Sequence, residues 1–559
     1  MTFGAWNPGI HSQVPRELRP LCTIFRPENS FTRVAAATEL RQLTGLSLPD
    51  VAIFRPQRLV LHELMIRVMA DFLVPTGERI GDLGINFRDM TNRLLHGYIE
   101  PEMQSIVAEY ETVRQQLATI IDAVLAGLIA PKLEKVRWFK RKARASKAAG
   151  SWGPQQIAEC ERTAAATEDP LKRAAYRALA RTMSALFTTH GRAWGTPELI
   201  SKLATDLACN DYGSDAIGRK IDPLIRAGAA IEKFALLPHQ DKPVIINTKG
   251  ASASGKSSLR PLQRKLAGDI GLQWADFALI SPDIFRKELL DYNSLGPAYK
   301  YAGAFTSEEL QIVDQKLDRY MAAKQKRGAM AHLLIDRFRF DSFAPDSDEA
   351  GSNLLTRFGD SVYLFFVITP PEQLVERAWK RGLEFGRYKA VDDTLAHCVE
   401  AYAGMPKVFF TWVQRADKRI RIEFLDNSVP FGQPPRTVAI GDNNTFNVLD
   451  VEKLLDIERF GRVDVDATSP ETLYPDPKLL APEYNLRFLK RCLQVFREVN
   501  FADQQTGRIY LRVQRGVAVA IDPAVPQSSV LELVVAKGDP VAIDQPLFVE
   551  DPATLGNWG

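Results

Sequence analysis

The stretch Gly250-Ala251-Ser252-Ala253-Ser254-Gly255-Lys256-Ser257 decides the fold of this 559-residue chain, because it fits the phosphate-binding pattern G-x-x-x-x-G-K-[ST]. Small residues let the backbone curl so that several N–H groups point at one anion. In such a loop Lys256 reaches the terminal phosphates of a nucleotide, and the hydroxyl of Ser257 ligates Mg²⁺. A glycine- and serine-rich turn that binds nothing is the alternative, so the neighbouring sequence must decide.

The residues on either side of this loop have the pattern of a strand and a helix. Residues 243–248 form a short apolar run of β type, and residues 258–268 place Leu259, Leu262 and Leu266 on one helical face. A P-loop requires this setting, because the phosphate lies at the N-terminus of the helix. We therefore predict that ATP or GTP binds with Mg²⁺ to Gly250, Ala251, Ser252, Ala253, Ser254, Gly255, Lys256, Ser257 and Ser258.

Residues 236–460 alternate between apolar runs and helical segments, which predicts an α/β domain whose parallel sheet is sandwiched by helices. In such sheets ligands bind beyond the carboxyl ends of the strands, so the residues after each run are the site candidates. The predicted strands are Val244–Thr248, Phe277–Ile280, His332–Ile335, Val362–Ile368, Ile420–Leu425 and Thr437–Ile440.

Charged residues follow the second and third predicted strands. Asp283 would face a phosphate on the P-loop and accept the proton of an attacking hydroxyl, or it would cap the following helix. Arg286, one helical turn further, would hold the acceptor or orient Asp283. Asp336 would support Mg²⁺ or contact the acceptor. Arg337 and Arg339 are either ligands of an anionic substrate or surface charges.

Three arginines follow the fourth predicted strand. Arg377 and Arg381 lie one turn apart in a predicted helix over 372–381, hence on one face, and Arg387 follows in a loop that contains glycine. Cationic side chains on a moving segment suit the charge that builds on a phosphoryl group during transfer. A guanidinium suits this role because it meets two oxygens at once. An amphipathic helix with solvated arginines is the alternative.

These motifs, taken together, resemble the zeta-toxin family of P-loop kinases over residues from about 243 to 445. The resemblance depends on the order and spacing of several modest motifs. They are the P-loop, Asp283-x-x-Arg286, Ile335-Asp336, Pro370-Pro371-Glu372 before Arg377-x-x-x-Arg381, Gly386-Arg387, and Leu425-Asp426-Asn427-Ser428. The chain departs from the family in carrying Ala-Ser-Ala-Ser at 251–254, where members often have a proline, and in its large helical N-terminal region.

The resemblance implies a nucleotide-kinase-like fold and transfer of phosphate from ATP or GTP, with Mg²⁺, to a hydroxyl of a nucleotide-type metabolite such as a UDP-amino sugar. It implies that Lys256 binds phosphates, that Asp283 is the base, and that Arg377 or Arg381 clamps the transferring group with Arg387. A toxin of this kind would have an inhibitory antitoxin or other partner protein, here bound through the N-terminal region.

The N-terminal and C-terminal regions have secondary-structure patterns that differ from that of residues 236–460. Residues 1–235 are predicted to be a mostly α-helical domain, with helical patterns at Leu59–Phe72, Met103–Leu128 and Gln155–Thr189. Residues 461–559 are predicted to be a small α+β appendage, in which the helix Tyr484–Val499 precedes short strands. Those strands are expected at Arg508–Arg512, Val517–Ile521, Val530–Val535 and Leu547–Val549.

Composition narrows the function classes. The net charge of +3 is too small to indicate nucleic-acid binding, and the basic run 132–147 is read as a solvated helix face rather than an RNA or DNA contact. Five scattered cysteines do not support a disulfide framework or a zinc site, and His62 and His332 are read as packed core residues. Without an N-terminal leader pattern or a run of 18 apolar residues, we expect a cytoplasmic protein with no membrane span.

Three functions stay open at this point. The first is a small-molecule kinase, a phosphotransferase with an alcohol group as acceptor. The second is a kinase for a protein or an RNA end, held by the basic run. The third is a nucleotide-dependent switch without catalysis. Asp283 discriminates between them, because a kinase requires its carboxylate and a switch tolerates Asp283→Asn.

Overall fold

The computed structural model describes residues 3–129, 152–337, 355–430, 432–525, 528–536, 538–543, 545–550 and 554–558. Within this part the chain is an α/β protein with one mixed twelve-stranded sheet flanked by helices, which confirms the predicted fold class.

The helices are α1 (Val34–Thr44), α2 (Leu48–Val51), α3 (Pro56–Asp71), α4 (Asp82–Leu94), α5 (Met103–Ile129), α6 (Pro154–Ala166), α7 (Pro170–His190), α8 (Pro197–Ala208), α9 (Ser214–Glu232), α10 (Arg260–Asp269), α11 (Arg286–Leu289), α12 (Ala302–Phe305), α13 (Ser307–Lys326), α14 (Pro371–Phe385), α15 (Val391–Val413), α16 (Val451–Arg459), α17 (Arg487–Val495) and α18 (Ser529–Glu532). The strands are β1 (Val244–Gly250), β2 (Phe277–Ile280), β3 (His332–Ile335), β4 (Ser361–Ile368), β5 (Arg419–Asp426), β6 (Arg436–Asp442), β7 (Thr445–Val448), β8 (Glu498–Ala502), β9 (Arg508–Gln514), β10 (Val517–Ile521), β11 (Val541–Ala542) and β12 (Leu547–Phe548).

The sheet is parallel where the P-loop lies. The strand order β2-β3-β1-β4-β5 is parallel throughout, and Ile246 of β1 pairs with Leu334 on one side and Tyr363 on the other. All six strands predicted between 236 and 460 are present, within two residues at each end. The expectation of an all-parallel sheet is wrong at β6, which runs antiparallel to β5. From β1 the chain continues to β2 on one side of the sheet, and β4 lies on the other side of β1. The carboxyl end of β1 is therefore the switch point at which such sheets bind their ligands.

The C-terminal strands extend this same sheet. β8 pairs with β7 in parallel, and β9 continues the order antiparallel to β8. The predicted helix Tyr484–Val499 is wrong at both ends, because α17 covers only Arg487–Val495 and β8 begins at Glu498. The predicted strand Val530–Val535 is wrong as well. Ser528 accepts a hydrogen bond from the backbone N–H of Val530 and so caps the short helix α18.

Helices fill the N-terminal region, as predicted. α3 and α5 match the predicted helices closely, whereas the third predicted helical region is two helices, α6 and α7. The break has a local cause. Pro170 occupies the first turn of α7, and the side chain of Asp169 accepts hydrogen bonds from the N–H groups of Leu171 and Lys172. The basic run 132–147 lies outside the described residues.

One helical run in the described part, residues 82–129, is long and apolar enough to cross a membrane by length and composition alone. Within it, α5 packs against α7, α8 and α9. The side chains that it buries there recur at helical spacing and are Ile106, Tyr110, Val113, Leu117, Ile121 and Leu125. This is the packing of an amphipathic helix that buries one face, and 22% of the membrane-length window is buried.

Buried ion pairs join α3 of the helical region to α13 beside the sheet. Glu309 accepts hydrogen bonds from Arg58 Nη2 at 2.8 Å and from His62 Nε2 at 2.6 Å. Lys316 donates to His62 Nδ1 at 3.2 Å and to the hydroxyl of Ser214 at 2.8 Å. We call Arg58, His62, Glu309 and Lys316 the ionic seam. Because its groups are buried, the seam joins the two regions only as long as each charge keeps its partner.

Candidate active site

The loop 250–257 joins β1 to α10, in the strand–turn–helix order that its sequence predicts. β1 ends at Gly250, and the chain turns through left-handed conformations at Ala253 (φ 65°) and Gly255 (φ 93°) before a 3₁₀ turn leads into α10. A Cβ at Gly250 would lie 2.6 Å from Ser254 Oγ, so this position requires glycine. At Gly255 a Cβ would lie 2.3 Å from Asn427 Nδ2. The tight turn aims the backbone toward the N-terminus of the following helix.

Residues that follow β4 and β5 hold this loop in place by hydrogen bonds to its backbone. Asn427, just beyond β5, donates from Nδ2 to the carbonyl of Ser254 at 2.7 Å, and Thr369 donates to the same carbonyl at 3.3 Å. Lys256 donates from Nζ to the carbonyls of Gly250 and Ala251, each at 3.0 Å. Burial lowers the pKa of Lys256, and the carboxylates of Asp336 and Asp283 oppose that shift. The lysine is therefore held at the loop, close to both acidic candidates.

Ser257 and Asp336 form a pair that fits Mg²⁺. The hydroxyl of Ser257 donates to Asp336 Oδ2 at 2.8 Å, and the backbone N–H of Asp336 is fixed by the carbonyl of Ile280 in β2. Both side chains offer hard oxygen ligands, and Mg²⁺ at phosphate sites takes only one or two from the protein, with the rest from water and the nucleotide. The described residues include no cluster of three or more His, Cys, Asp or Glu side chains that could hold a metal ion.

Arg337 turns away from Asp336 into the interior. Its guanidinium forms ion pairs with Asp314 and Asp318 of α13, and Lys249 of β1 donates to its carbonyl at 3.4 Å. Arg337 is therefore neither a ligand of an anionic substrate nor a surface charge, because it is buried and paired within the protein. Burial, with the nearby charges of Arg337 and Lys256, lowers the pKa of Lys249 to about 7. Arg339 lies outside the described residues, so its predicted substrate contact stays a prediction.

Asp283 lies between two arginines in the turn after β2. Its Oδ1 accepts from Arg286 Nε at 3.1 Å and its Oδ2 from Arg387 Nη2 at 3.2 Å, while 54% of the side chain stays exposed. Partial desolvation opposes ionisation, but Arg286, Arg387 and Arg381 outweigh it and hold the pKa of Asp283 well below its usual range. Asp283 lies inside the turn and Ser281 precedes it, so the capping alternative does not describe it.

Arg286 is held on several sides. Besides Asp283, it donates from Nη1 to the carbonyl of Gly303 at 2.6 Å and to the hydroxyl of Thr306 at 2.9 Å. The turn after β2 is thereby tied to α12 and the start of α13. Such a rigid arginine can position an acceptor without reorganising.

Arg381 is the least satisfied arginine of the group. It lies in the last turns of α14, and its Nε is buried without a hydrogen-bond partner among the described residues. Burial lowers the pKa of Arg381 to about 10, and the like charges of Arg387 and Arg286 add to that effect, while Asp283 opposes it. A buried, unsatisfied cation beside an acidic group is typical of a ligand site. We call Asp283, Arg286, Arg381 and Arg387 the arginine cluster.

Arg377 lies on the same helix but contacts another part of the site. Its Nη2 donates to the carbonyl of Asn427 at 2.7 Å and to Gln373 at 3.2 Å. Arg377 thus braces the residue that supports the P-loop, whereas Arg381 is influenced by the charge of Asp283. The predicted spacing of four residues in one helix is present, but only Arg377 donates to a residue beside the P-loop.

A further charged group follows Arg387 and was not foreseen. Lys389 forms an ion pair with Asp393 at 2.8 Å and approaches His397 Nδ1 at 2.8 Å. Burial lowers the pKa of Lys389 to about 8. Burial and the charge of Lys389 together lower the pKa of His397 to about 3. Asp393 and His397 stand four residues apart in α15, so the loop that carries Arg387 is anchored to that helix. The i,i+4 spacing of these two residues was the one available sequence signal.

Comparison with known proteins does not identify the function of this site. No protein-family model and no curated protein matches the chain. Among solved structures, it is similar to a chain from the PezAT chromosomal toxin–antitoxin system of the human pathogen Streptococcus pneumoniae, with 17% identity and a TM-score of 0.24, over 34% of this chain and 70% of that one. It is also similar to a chain of the native AvrRxo1-ORF1:-ORF2 complex, with 16% identity and a TM-score of 0.28, over 39% of this chain and 64% of that one. The assignment of the site depends on its own residues.

Proposed function

We propose that this protein is a P-loop kinase that transfers the γ-phosphate of ATP or GTP to a hydroxyl of a small nucleotide-type metabolite, as the resemblance to zeta toxins implies. One observation carries the proposal. The P-loop lysine, the Ser257–Asp336 pair and the arginine cluster around Asp283 all gather at the carboxyl ends of β1, β2 and β3. Parallel sheets bind and react with their ligands at this edge.

In the proposed reaction the oxygen of the acceptor hydroxyl attacks the γ-phosphorus. The bond from that phosphorus to the β,γ-bridging oxygen breaks, and the nucleoside diphosphate leaves with the electron pair. Lys256 binds the β- and γ-phosphates, and Arg381 and Arg387 offset the charge on the group in transfer. Mg²⁺, held by Ser257 and supported by Asp336, would supply further charge neutralisation at the phosphates.

The arginines around Asp283 determine what that carboxylate can do. Because its pKa is held low, Asp283 is ionised at neutral pH and can accept a hydrogen bond from the acceptor hydroxyl. A weak base suffices here, since phosphoryl transfer passes through a loose transition state in which the hydroxyl proton is lost late. Asp283 orients the nucleophile first and receives its proton as the new bond forms.

The test is phosphate transfer by the full chain. Wild-type protein with Mg²⁺, γ-labelled ATP and a metabolite extract should label a small molecule, which mass analysis then identifies. Lys256→Ala should lower the initial rate by about 10²–10³-fold, because a charge on the β- and γ-phosphates is lost. Unchanged turnover in that variant would exclude the P-loop as the active centre. A wild-type protein that binds ATP and labels nothing would favour the nucleotide-dependent switch.

A further inference from the structure

The helical N-terminal region forms a wall beside Asp283. α4 packs against the turn that follows β2, where the rings of Phe87 and Phe285 lie 5.3 Å apart. Gly84, one turn earlier in α4, lies so close that an added Cβ would be 3.8 Å from Ile284. The residue next to Asp283 along the chain is thus covered by α4. Any acceptor that reaches Asp283 from this side must pass the side chains of that helix.

Cations collect at this junction. Partial desolvation of its ammonium group lowers the pKa of Lys287, and the like charges of Arg88 in α4 and of Arg387 lower it further. Lys287 is exposed, and its Nζ lies 5.7 Å from the ring centroid of Tyr292. Arg88 makes no hydrogen bond or ion pair with another residue in the described ranges, although its charge also acts on Glu288. Burial raises the pKa of Glu288 to about 7, so this carboxyl offsets the surrounding cations only in part.

Tyr292 adds an unsatisfied hydroxyl to the same place. Its oxygen is buried and has no hydrogen-bond partner in the part of the chain that the structure describes. Burial raises the pKa of Tyr292, and the charges of Arg286, Arg387, Asp283 and Arg381 also act on it. A buried hydroxyl without a protein partner has its hydrogen-bonding capacity left for a bound group.

We propose that Arg88, Lys287 and Tyr292 form an acceptor subsite that binds an anionic group, a phosphate or a carboxylate, of the molecule whose hydroxyl is phosphorylated. This inference rests on the proposed function, because it places the acceptor next to Asp283. The two cations bind the anion and the tyrosine hydroxyl fixes its orientation. The subsite needs α4, so the helical region takes part in choosing the acceptor. A neutral alcohol would leave the cations without a partner and would be rejected.

Direct binding tests the subsite without turnover. The full chain, saturated with Mg²⁺ and a non-hydrolysable ATP analogue, is titrated with inorganic phosphate, and the apparent Kd is read from the shift in melting temperature. Arg88→Gln and Lys287→Gln should each weaken phosphate binding by about tenfold, the effect of one charge-assisted hydrogen bond. Tyr292→Phe should weaken it by a few-fold. The control is Lys220→Gln, which removes an exposed lysine of α9 and should change nothing.

Equal phosphate affinity in the wild type and all three variants would overturn the subsite, as would the absence of phosphate binding to the wild type. In the labelling reaction, Arg88→Gln and Lys287→Gln should need about tenfold more extract for half-maximal transfer, Tyr292→Phe a few-fold more, and all three should keep the wild-type KM for ATP. Because phosphate binding is read without catalysis, the two proposals fail separately. A wild-type protein that binds phosphate but transfers none would overturn the kinase and leave the anion site standing.

Discussion

The ionic seam and the arginine cluster contain the same kinds of charged groups but satisfy them differently. In the seam, Glu309 accepts from both Arg58 and His62, and Lys316 is bonded to His62 and a serine hydroxyl. In the cluster, Arg286 and Arg387 share the single carboxylate of Asp283, and Nε of Arg381 has no hydrogen-bond partner in the described residues. Paired buried charges hold two regions together, whereas unpaired ones are poised for a ligand.

The largest effect should come from breaking the seam. Glu309→Ala leaves Arg58 and His62 buried without their shared acceptor, so the free energy of unfolding should fall by about 3–5 kcal/mol. Urea unfolding followed by circular dichroism measures the loss. Gln311→Ala, an exposed change on the same helix, is the control and should stay within about 0.5 kcal/mol of the wild type. A loss below about 1 kcal/mol for Glu309→Ala would show that the seam does not stabilise the contact.

Substitutions in the arginine cluster should lower the rate of phosphate transfer rather than the stability of the protein. If Arg387 contacts the phosphoryl group mainly in the transition state, Arg387→Ala should lower kcat by about 10²–10³-fold and change the KM for ATP little. Arg387→Lys should recover only part of the loss, because one ammonium cannot replace the guanidinium fork. Initial rates of phosphate transfer at several ATP concentrations separate the two constants. Full kcat with a raised KM would show that Arg387 binds only the ground state.

Two arginines on α14 provide a matched pair for the same comparison. Arg381 has an unsatisfied buried nitrogen, whereas Arg377 donates to the carbonyl of Asn427. Arg381→Gln should lower kcat by about 10²-fold without lowering the melting temperature, since it removes a buried cation that lacks a full set of partners. Arg377→Gln should stay within about fivefold of the wild-type kcat and lower stability by about 1.5 kcal/mol. The reverse pattern would mean that Arg377, rather than Arg381, contacts the transferring group.

The parts of this site that depend on local sequence could be predicted. The P-loop, its flanking strand and helix, and the strands ending at Ile280 and Ile335 follow from short apolar runs and glycine spacing. The position of Asp283 next to Lys256 follows from the rule that parallel strands end at one edge. These inferences need no knowledge of contacts between distant segments.

Contacts between distant segments could not be predicted in this way. His62 was correctly read as a buried residue, but its partner Glu309 is 247 positions away along the chain. The i,i+4 spacing of Arg377 and Arg381 places both on one face without showing that Arg377 donates to Asn427 while Nε of Arg381 has no hydrogen-bond partner in the described residues. Tyr292 carried no signal, because an aromatic residue in a loop is usually a packing residue.

The smallest predicted effect is a dependence of stability on pH that comes from the seam. Burial and the charge of Lys316 lower the pKa of His62 to about 4 from its ordinary 6.5, although Glu309 opposes the shift. Between these two values the unfolded chain binds a proton that the folded chain does not, so stability falls as the pH decreases through this window. From pH 7 to pH 5 the free energy of unfolding should fall by about 2 kcal/mol.

The variant His62→Gln tests this prediction, because glutamine keeps a donor for Glu309 and an acceptor for Lys316 but cannot titrate. Its free energy of unfolding should fall by about 2 kcal/mol less than that of the wild type over the same interval. Urea unfolding of both proteins at the two pH values isolates this residue, because every other histidine is common to them. The arginine cluster offers no such term, since its arginines stay charged and Asp283 stays ionised throughout the window. Identical pH dependence in wild type and His62→Gln would show that His62 is protonated in the folded seam, and the contrast between a satisfied neutral network and an unsatisfied cationic one would then not hold.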